Sequence, residues 1–143
     1  MKRVYDYIDQ HSRSFIQDLA NIIRQPSVSA KGEGMQECAE MVEKMLRNAG
    51  FSARLIAGKG GNPVVYGELK SEDSRKTLLF YDHYDVQPPE PLEEWKFDAF
   101  SGKVHKGRIY GRGASDNKGN IVSRVKAVEA FLKTVDRVPM NVK

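Results

Sequence analysis

Two short stretches of this 143-residue chain carry side chains whose types and spacing suit metal or acid–base chemistry. The first is Asp82-His83-Tyr84-Asp85, at the end of an apolar run. In extended chain, residues i and i+2 point the same way, so His83 and Asp85 share a face. A metal-bound imidazole needs its second ring nitrogen tied to an acceptor, commonly a carboxylate. His-x-Asp supplies both parts, although many such triplets are ordinary surface. The second stretch is Gly111-Arg112-Gly113-Ala114-Ser115-Asp116-Asn117-Lys118-Gly119. Its glycines invite a phosphate loop, but Lys118 is followed by Gly119 and Asn120 where a Walker loop needs Ser or Thr. The dinucleotide fingerprint fails too, because Asp116 stands where its third glycine belongs. What remains is an acid in a tight Gly-flanked loop before a helix. Such a carboxylate can bridge two cations, or it can cap the helix. The local residues alone favour the cap.

These stretches need elements to position them. Val4, Ile8, Phe15, Leu19 and Ile22 fall at helical spacing, with Asp9, Ser12 and Arg13 facing away. His11 lies near the apolar stripe and reads as a packed or rim histidine. Pro26 stops this helix, and PSVSAKGEG reads as a loop. Met35, Cys38, Ala39, Val42, Met45, Leu46 and Ala49 form a second helix, ended by Gly50 as a residue free to take positive φ. Cys38 and the methionines are core packing on this reading. The runs FSARLIA, VVYGELK and TLLFYDHYDV read as strands. The third is nearly continuous in its first half, as in a strand covered on both faces. A long Pro- and Glu-rich connection runs from Gln87 to about Gly102. A short strand over KVHKGRIYGRG then leads into a third helix through Ile121, Val125, Val128 and Leu132, and VPMNVK resembles the first half of another strand. The expected class is α/β, a mixed or mostly parallel sheet flanked by helices.

Composition narrows the function. Lys and Arg number 23 against 19 Asp and Glu, a formal charge of +4. The charges are interspersed, and acidic stretches such as Glu37–Glu43 and Glu90–Glu94 would repel phosphate, which argues against a nucleic-acid partner. No apolar run approaches the roughly 18 residues of a membrane span, and the N-terminus has no signal-peptide core. Cys38 is the only cysteine, so neither an intrachain disulfide nor a Cys-based zinc site forms. A total of 34 Leu, Ile, Val and Phe residues is enough for a core. The expectation is a soluble, cytoplasmic domain.

The two stretches together, in order and at this separation, resemble the co-catalytic zinc hydrolases. The resemblance runs through His83-Tyr84-Asp85-Val86-Gln87-Pro88-Pro89, Trp95, Phe100 and Gly107 to Gly119. That family includes carnosinase-like dipeptidases, glutamate carboxypeptidases, aminoacylases, acetylornithine deacetylase and succinyl-diaminopimelate desuccinylase. The resemblance implies His83 as a ligand of one metal, Asp85 as the catalytic carboxylate that orients it, and Asp116 as the bridge between two metals. It implies two Zn²⁺, with Co²⁺ or Mn²⁺ as alternatives, and a cis peptide between Asp116 and Asn117. The implied reaction is hydrolysis of a dipeptide, a C-terminal peptide bond or an N-acyl amino acid. The HYDVQPPEP…W form leans toward the dipeptidase and carboxypeptidase branch over the deacylases.

Two positions depart from the family's pattern. Asp82 stands where a small residue such as glycine is frequent, and Ala99 stands where proline is common; both bear on loop shape. The family's general-base glutamate, its remaining ligands and its lid and dimerisation domain all lie downstream of such a segment. Residues 1–143 therefore read as the N-terminal part of a truncated catalytic domain, inactive alone, whose parent acts on a small substrate and is compatible with a homodimer. A reading of another class is a noncatalytic binding module built on a hydrolase-like half-domain.

Overall fold

The computed structural model describes residues 1–58, 60–72 and 74–143. The chain opens with α1 (Lys2–Arg24), which buries Val4, Ala20, Ile22 and Ile23. It stops where the sequence demands: a residue before proline avoids the helical region, and Gln25 turns extended at φ −79°, ψ 111° ahead of Pro26. His11 is a packed residue, stacked on Tyr7 with ring centroids 3.9 Å apart. The loop that follows holds one short 3₁₀ turn, Ser29–Lys31. Then α2 (Met35–Asn48) buries Met35, Cys38, Ala39 and Val42. Gly50, at φ +99°, ends it. Its N–H bonds Arg47 O and the Phe51 N–H bonds Leu46 O, both at 3.0 Å, a Schellman closure that satisfies the orphan carbonyls of the last turn.

Next, β1 (Ser52–Ile56) and β2 (Val64–Glu68) pair antiparallel, with Ala53 opposite Gly67. β3 (Thr77–Leu78) and β6 (Asn141–Val142) pair parallel, and Leu69 joins Val142 by reciprocal bonds of 2.9 Å. The stretch expected as one short strand at KVHKGRIYGRG is instead a hairpin, β4 (Lys103–His105) and β5 (Arg108–Tyr110). Lys106 at φ 48° and Gly107 at φ 73° give its two-residue turn the positive φ values that suit strand twist. Pairing is thus mixed, with one parallel ladder among three, and the mostly parallel alternative does not hold for the described residues. The expected strand through Val86 also carries a ladder only at Thr77–Leu78; beyond it the backbone bonds are isolated, from Phe80 N–H to Lys143 O and from Val86 N–H to Ser27 O. Apolar composition made that run strand-like, but a ladder needs a partner at each register.

The third helix, α3 (Lys118–Val135), packs along α1. Its Ile121, Val125 and Val128 meet Ile22, Cys38, Val42 and Phe51 in one core. Each such side chain, once buried, contributes about 1.5–3 kcal/mol. This core holds the start of α3 and the segment after β3 at fixed positions, and both candidate stretches lie there.

Candidate metal centre

The segment carrying His83 is held by its neighbours. Ser27 Oγ donates to Tyr84 O at 2.7 Å, and Tyr84 Oη donates to Pro63 O at 2.6 Å. Val86, which is buried, donates its N–H to Ser27 O at 2.9 Å. With Tyr84 and Val86 anchored, the alternation of extended chain turns His83 and Asp85 the other way. His83 Nδ1 donates toward Asp85 O at 3.0 Å and Asp85 Oδ1 at 3.1 Å. Asp85 is held in turn by Ser29 Oγ, which donates to its Oδ2 at 2.7 Å.

The second ring nitrogen faces the other stretch. His83 Nε2 lies 3.0 Å from Asp116 Oδ1. Burial pulls the His83 imidazolium down. The hydrogen bond to the Asp85 carbonyl, then that to Asp116 and the two carboxylate charges, outweigh it, and its pKa stands above the ordinary histidine value. Asp116 is 85% exposed at its side chain, so its carboxylate is open to a ligand. The segment also borders a cavity of about 460 Å³, lined by Phe80, Tyr84, Ile121 and Val125 among others.

Close packing shapes the loop before Asp116. Gly113 sits at φ +89°, and a Cβ there would come within 2.9 Å of Val86 and 3.0 Å of Lys118. A Cβ on Gly119 would lie 2.1 Å from Ala114 O. These glycines allow a tight entry into α3 rather than a phosphate cradle. The Asp116–Asn117 peptide is cis, as the resemblance implies. The helix-cap reading of Asp116 is corrected: α3 begins at Lys118, its N-cap residue is Asn117, and no side chain caps it.

Known proteins resemble this chain in sequence and in fold. Residues 79–143 match the model described as Peptidase family M20/M25/M40. Over those residues the chain resembles that family. An M20 family metallo-carboxypeptidase from Sulfolobus solfataricus superposes with a TM-score of 0.83 at 41% identity, over 90% of this chain and 29% of that one. The Cys-Gly metallodipeptidase dug1 of Schizosaccharomyces pombe is 30% identical over 99% of this chain and 32% of its own. A succinyl-diaminopimelate desuccinylase of Methylococcus capsulatus is 34% identical over 80% of this chain and 29% of its own. The chain spans about a third of the length of the curated relatives it matches. Its mixed α/β architecture is that of the M20 structures. No helix among the described residues is long and apolar enough to cross a membrane.

The donor set can be tested against the metal this family implies. Two bonds of about 2.0–2.2 Å at a tetrahedral angle span about 3.3–3.6 Å. The 3.0 Å between His83 Nε2 and Asp116 Oδ1 is a few tenths short, an opening that the exposed Asp116 side chain can make. An imidazole oriented by a carboxylate, beside a second carboxylate, suits a divalent cation such as zinc. These residues fit one side of such a site. Among the described residues no group of three or more His, Cys, Asp or Glu gathers around one point, so the set is partial.

Several supporting residues left no sign in the sequence. Ser27 and Ser29 lie in what reads as an ordinary loop. Lys118 enters the sequence only as a failed Walker lysine, yet it is fully buried and donates to Ile22 O at 3.0 Å and Gln25 O at 2.6 Å. It fastens the entry of α3 to the C-terminal end of α1, where carbonyls lack helical partners.

Proposed function

We propose that residues 1–143 form the N-terminal part of the catalytic domain of a cytoplasmic, metal-dependent amide and peptide hydrolase of the dipeptidase or carboxypeptidase type. His83 and Asp116 serve as ligands, and Asp85 orients His83. The observation that carries this reading is the alignment of Asp85, His83 and Asp116, with Nδ1 on one carboxylate and Nε2 3.0 Å from the other. Two Zn²⁺ ions, when bound, supply a water of lowered pKa and polarise the scissile carbonyl. The residues of this chain do the holding. Asp85 keeps a proton on Nδ1, which leaves the Nε2 lone pair for the cation. Asp116 offers two carboxylate oxygens from a tight, packed loop. The remaining ligands and the general base come from polypeptide outside these residues, because zinc sites use three or four protein ligands. The chain alone is expected to bind Zn²⁺ weakly and to be inactive.

The substrate is a dipeptide, a C-terminal peptide bond or an N-acyl amino acid. The carboxypeptidase and dipeptidase matches favour the first two, and the desuccinylase match supports the deacylase alternative. The test is to strip the native polypeptide carrying these residues of metal, restore Zn²⁺, and follow hydrolysis of Cys-Gly, a C-terminal peptide bond and an N-succinyl amino acid. Zinc should restore hydrolysis, Asp85→Asn should cost about 10–100-fold, and His83→Ala should cost more. Cleavage of the N-succinyl substrate alone would select the deacylase. Absence of any zinc-dependent hydrolysis would leave the noncatalytic module.

A further inference from the structure

Asp82 and Asn117 flank the two candidate ligands, one before His83 and one after Asp116. A single oxygen joins them. Asn117 Nδ2 donates to Asp82 Oδ1 at 3.1 Å, and the same oxygen accepts a hydrogen bond from Arg124 Nη1. Arg124 sits on α3 and is itself fixed: Nη1 also donates to Tyr81 O at 3.2 Å, and its guanidinium lies 5.4 Å from the centroid of the Phe80 ring. The Asp82 side chain is 16% exposed and that of Arg124 37%, so the carboxylate is the shielded partner, and the bond it accepts is charge-assisted and stronger than a neutral one. Asn117 Oδ1 is buried with no hydrogen-bond partner among the described residues. The contact to Asp82 is thus what orients the Asn117 amide.

We propose that Asp82, held by Arg124, is a positioning residue that fixes the Asp116 carboxylate opposite His83 by gripping Asn117. This rests on the reading of His83 and Asp116 as metal ligands only for its consequence in binding; the positioning itself exists in the metal-free chain. Asp82 and His83 are adjacent, as are Asp116 and Asn117. A link between the outer pair therefore limits the separation of the inner pair. Without it, the Asn117 side chain has no described partner, and an exposed Asp116 is free to swing from the ring.

Two measurements separate the claims. In the metal-free chain at one fixed pH, the ¹⁵N resonance of His83 Nε2 reports its contact with Asp116, and Asp116→Ala supplies the value for a lost contact. Asp82→Ala should move the resonance most of the way to that value. Asp82→Asn, which keeps an oxygen to accept from Asn117, should stay near the wild type. Asn117→Ala leaves the Asp82–Arg124 pair intact and should shift the resonance as Asp82→Ala does, so it decides the matter if Asp82→Ala does not fold. An unchanged resonance in Asn117→Ala, with the fold intact, overturns the proposal and leaves Asp82–Arg124 as a stabilising ion pair. The second measurement titrates Co²⁺ alone into the same proteins. Asp82→Ala and Asn117→Ala should each weaken binding about tenfold, the scale of one charged hydrogen bond, with the double variant no weaker than Asp82→Ala. If His83→Ala and Asp116→Asn bind Co²⁺ as tightly as the wild type, the metal reading fails, whereas the nitrogen resonance still judges the positioning.

Discussion

The packed face between the three helices and the segment that bears the chemistry are built in different ways. Ile22, Cys38, Val42, Ile121 and Val125 are held by apolar burial, which is nondirectional and spread over many neighbours. His83, Asp85 and Asp116 sit at or near the surface and are placed by a few directed bonds: Ser27 to Tyr84, Tyr84 to Pro63, and Lys118 to Ile22 and Gln25. The first arrangement tolerates exchange of shape for shape. The second does not, because each bond has one donor and one acceptor. Stability and placement are therefore separable in this molecule, and substitutions in the two regions should fail differently.

The largest effect belongs to the apolar region. Ile22 is fully buried beneath α3. Ile22→Ala removes three carbons and leaves a cavity, and large-to-small changes of this kind cost about 2–5 kcal/mol. Urea unfolding should show a loss of about 3 kcal/mol with an unchanged slope. A loss below 1 kcal/mol would mean that the site collapses around the gap, and that the helical face is less tightly packed than its burial indicates.

An intermediate effect is expected where the two regions join. Lys118 is buried, and burial holds its pKa below the ordinary lysine value. Lys118→Met keeps the aliphatic stem but leaves the Ile22 and Gln25 carbonyls without this donor, at about 1–3 kcal/mol each. Relief from burying a cation offsets part of that. The expected net loss is about 2 kcal/mol in urea. A variant as stable as the parent would show that desolvation cancels both bonds, and the lysine would then serve placement alone.

This division also explains what could be read from the sequence. The helices were legible because apolar burial leaves a period: α1 stops just before Pro26 and α2 just before Gly50, as the pattern implies. His83 and Asp85 were legible as a pair because i and i+2 share a face. Asp116 was legible only through the family's longer motif; local rules favoured a cap, and the helix in fact starts two residues later with Asn117 as its cap. The bonds that place the site were not legible. Ser27 and Tyr84 are separated by 57 positions, Lys118 and Ile22 by 96, and Arg124 and Asp82 by 42. Side-chain bonds over such distances impose no local periodicity. Asp82 stood out only as a departure in loop shape, and its partner on α3 gave no signal at all.

The smallest effect on stability should fall on the residue with the most to do. Asp116 is 85% exposed at its side chain, and its partner His83 is 44% exposed. Solvent screens such a pair, and exposed ion pairs contribute about 0.2–1 kcal/mol at most. Asp116→Asn keeps the size of the side chain and retains an oxygen toward His83. It should shift the urea midpoint by no more than the equivalent of about 0.5 kcal/mol, while weakening Co²⁺ binding far more than Ile22→Ala does in the fraction that remains folded. The contrast is the test. If Asp116→Asn instead destabilises by more than 1 kcal/mol, the carboxylate is part of the scaffold, and its exposure does not leave it free for a ligand. If it alters neither stability nor metal binding, the 3.0 Å approach to His83 is an incidental surface contact. A stable protein with impaired metal binding is the outcome that keeps placement distinct from packing.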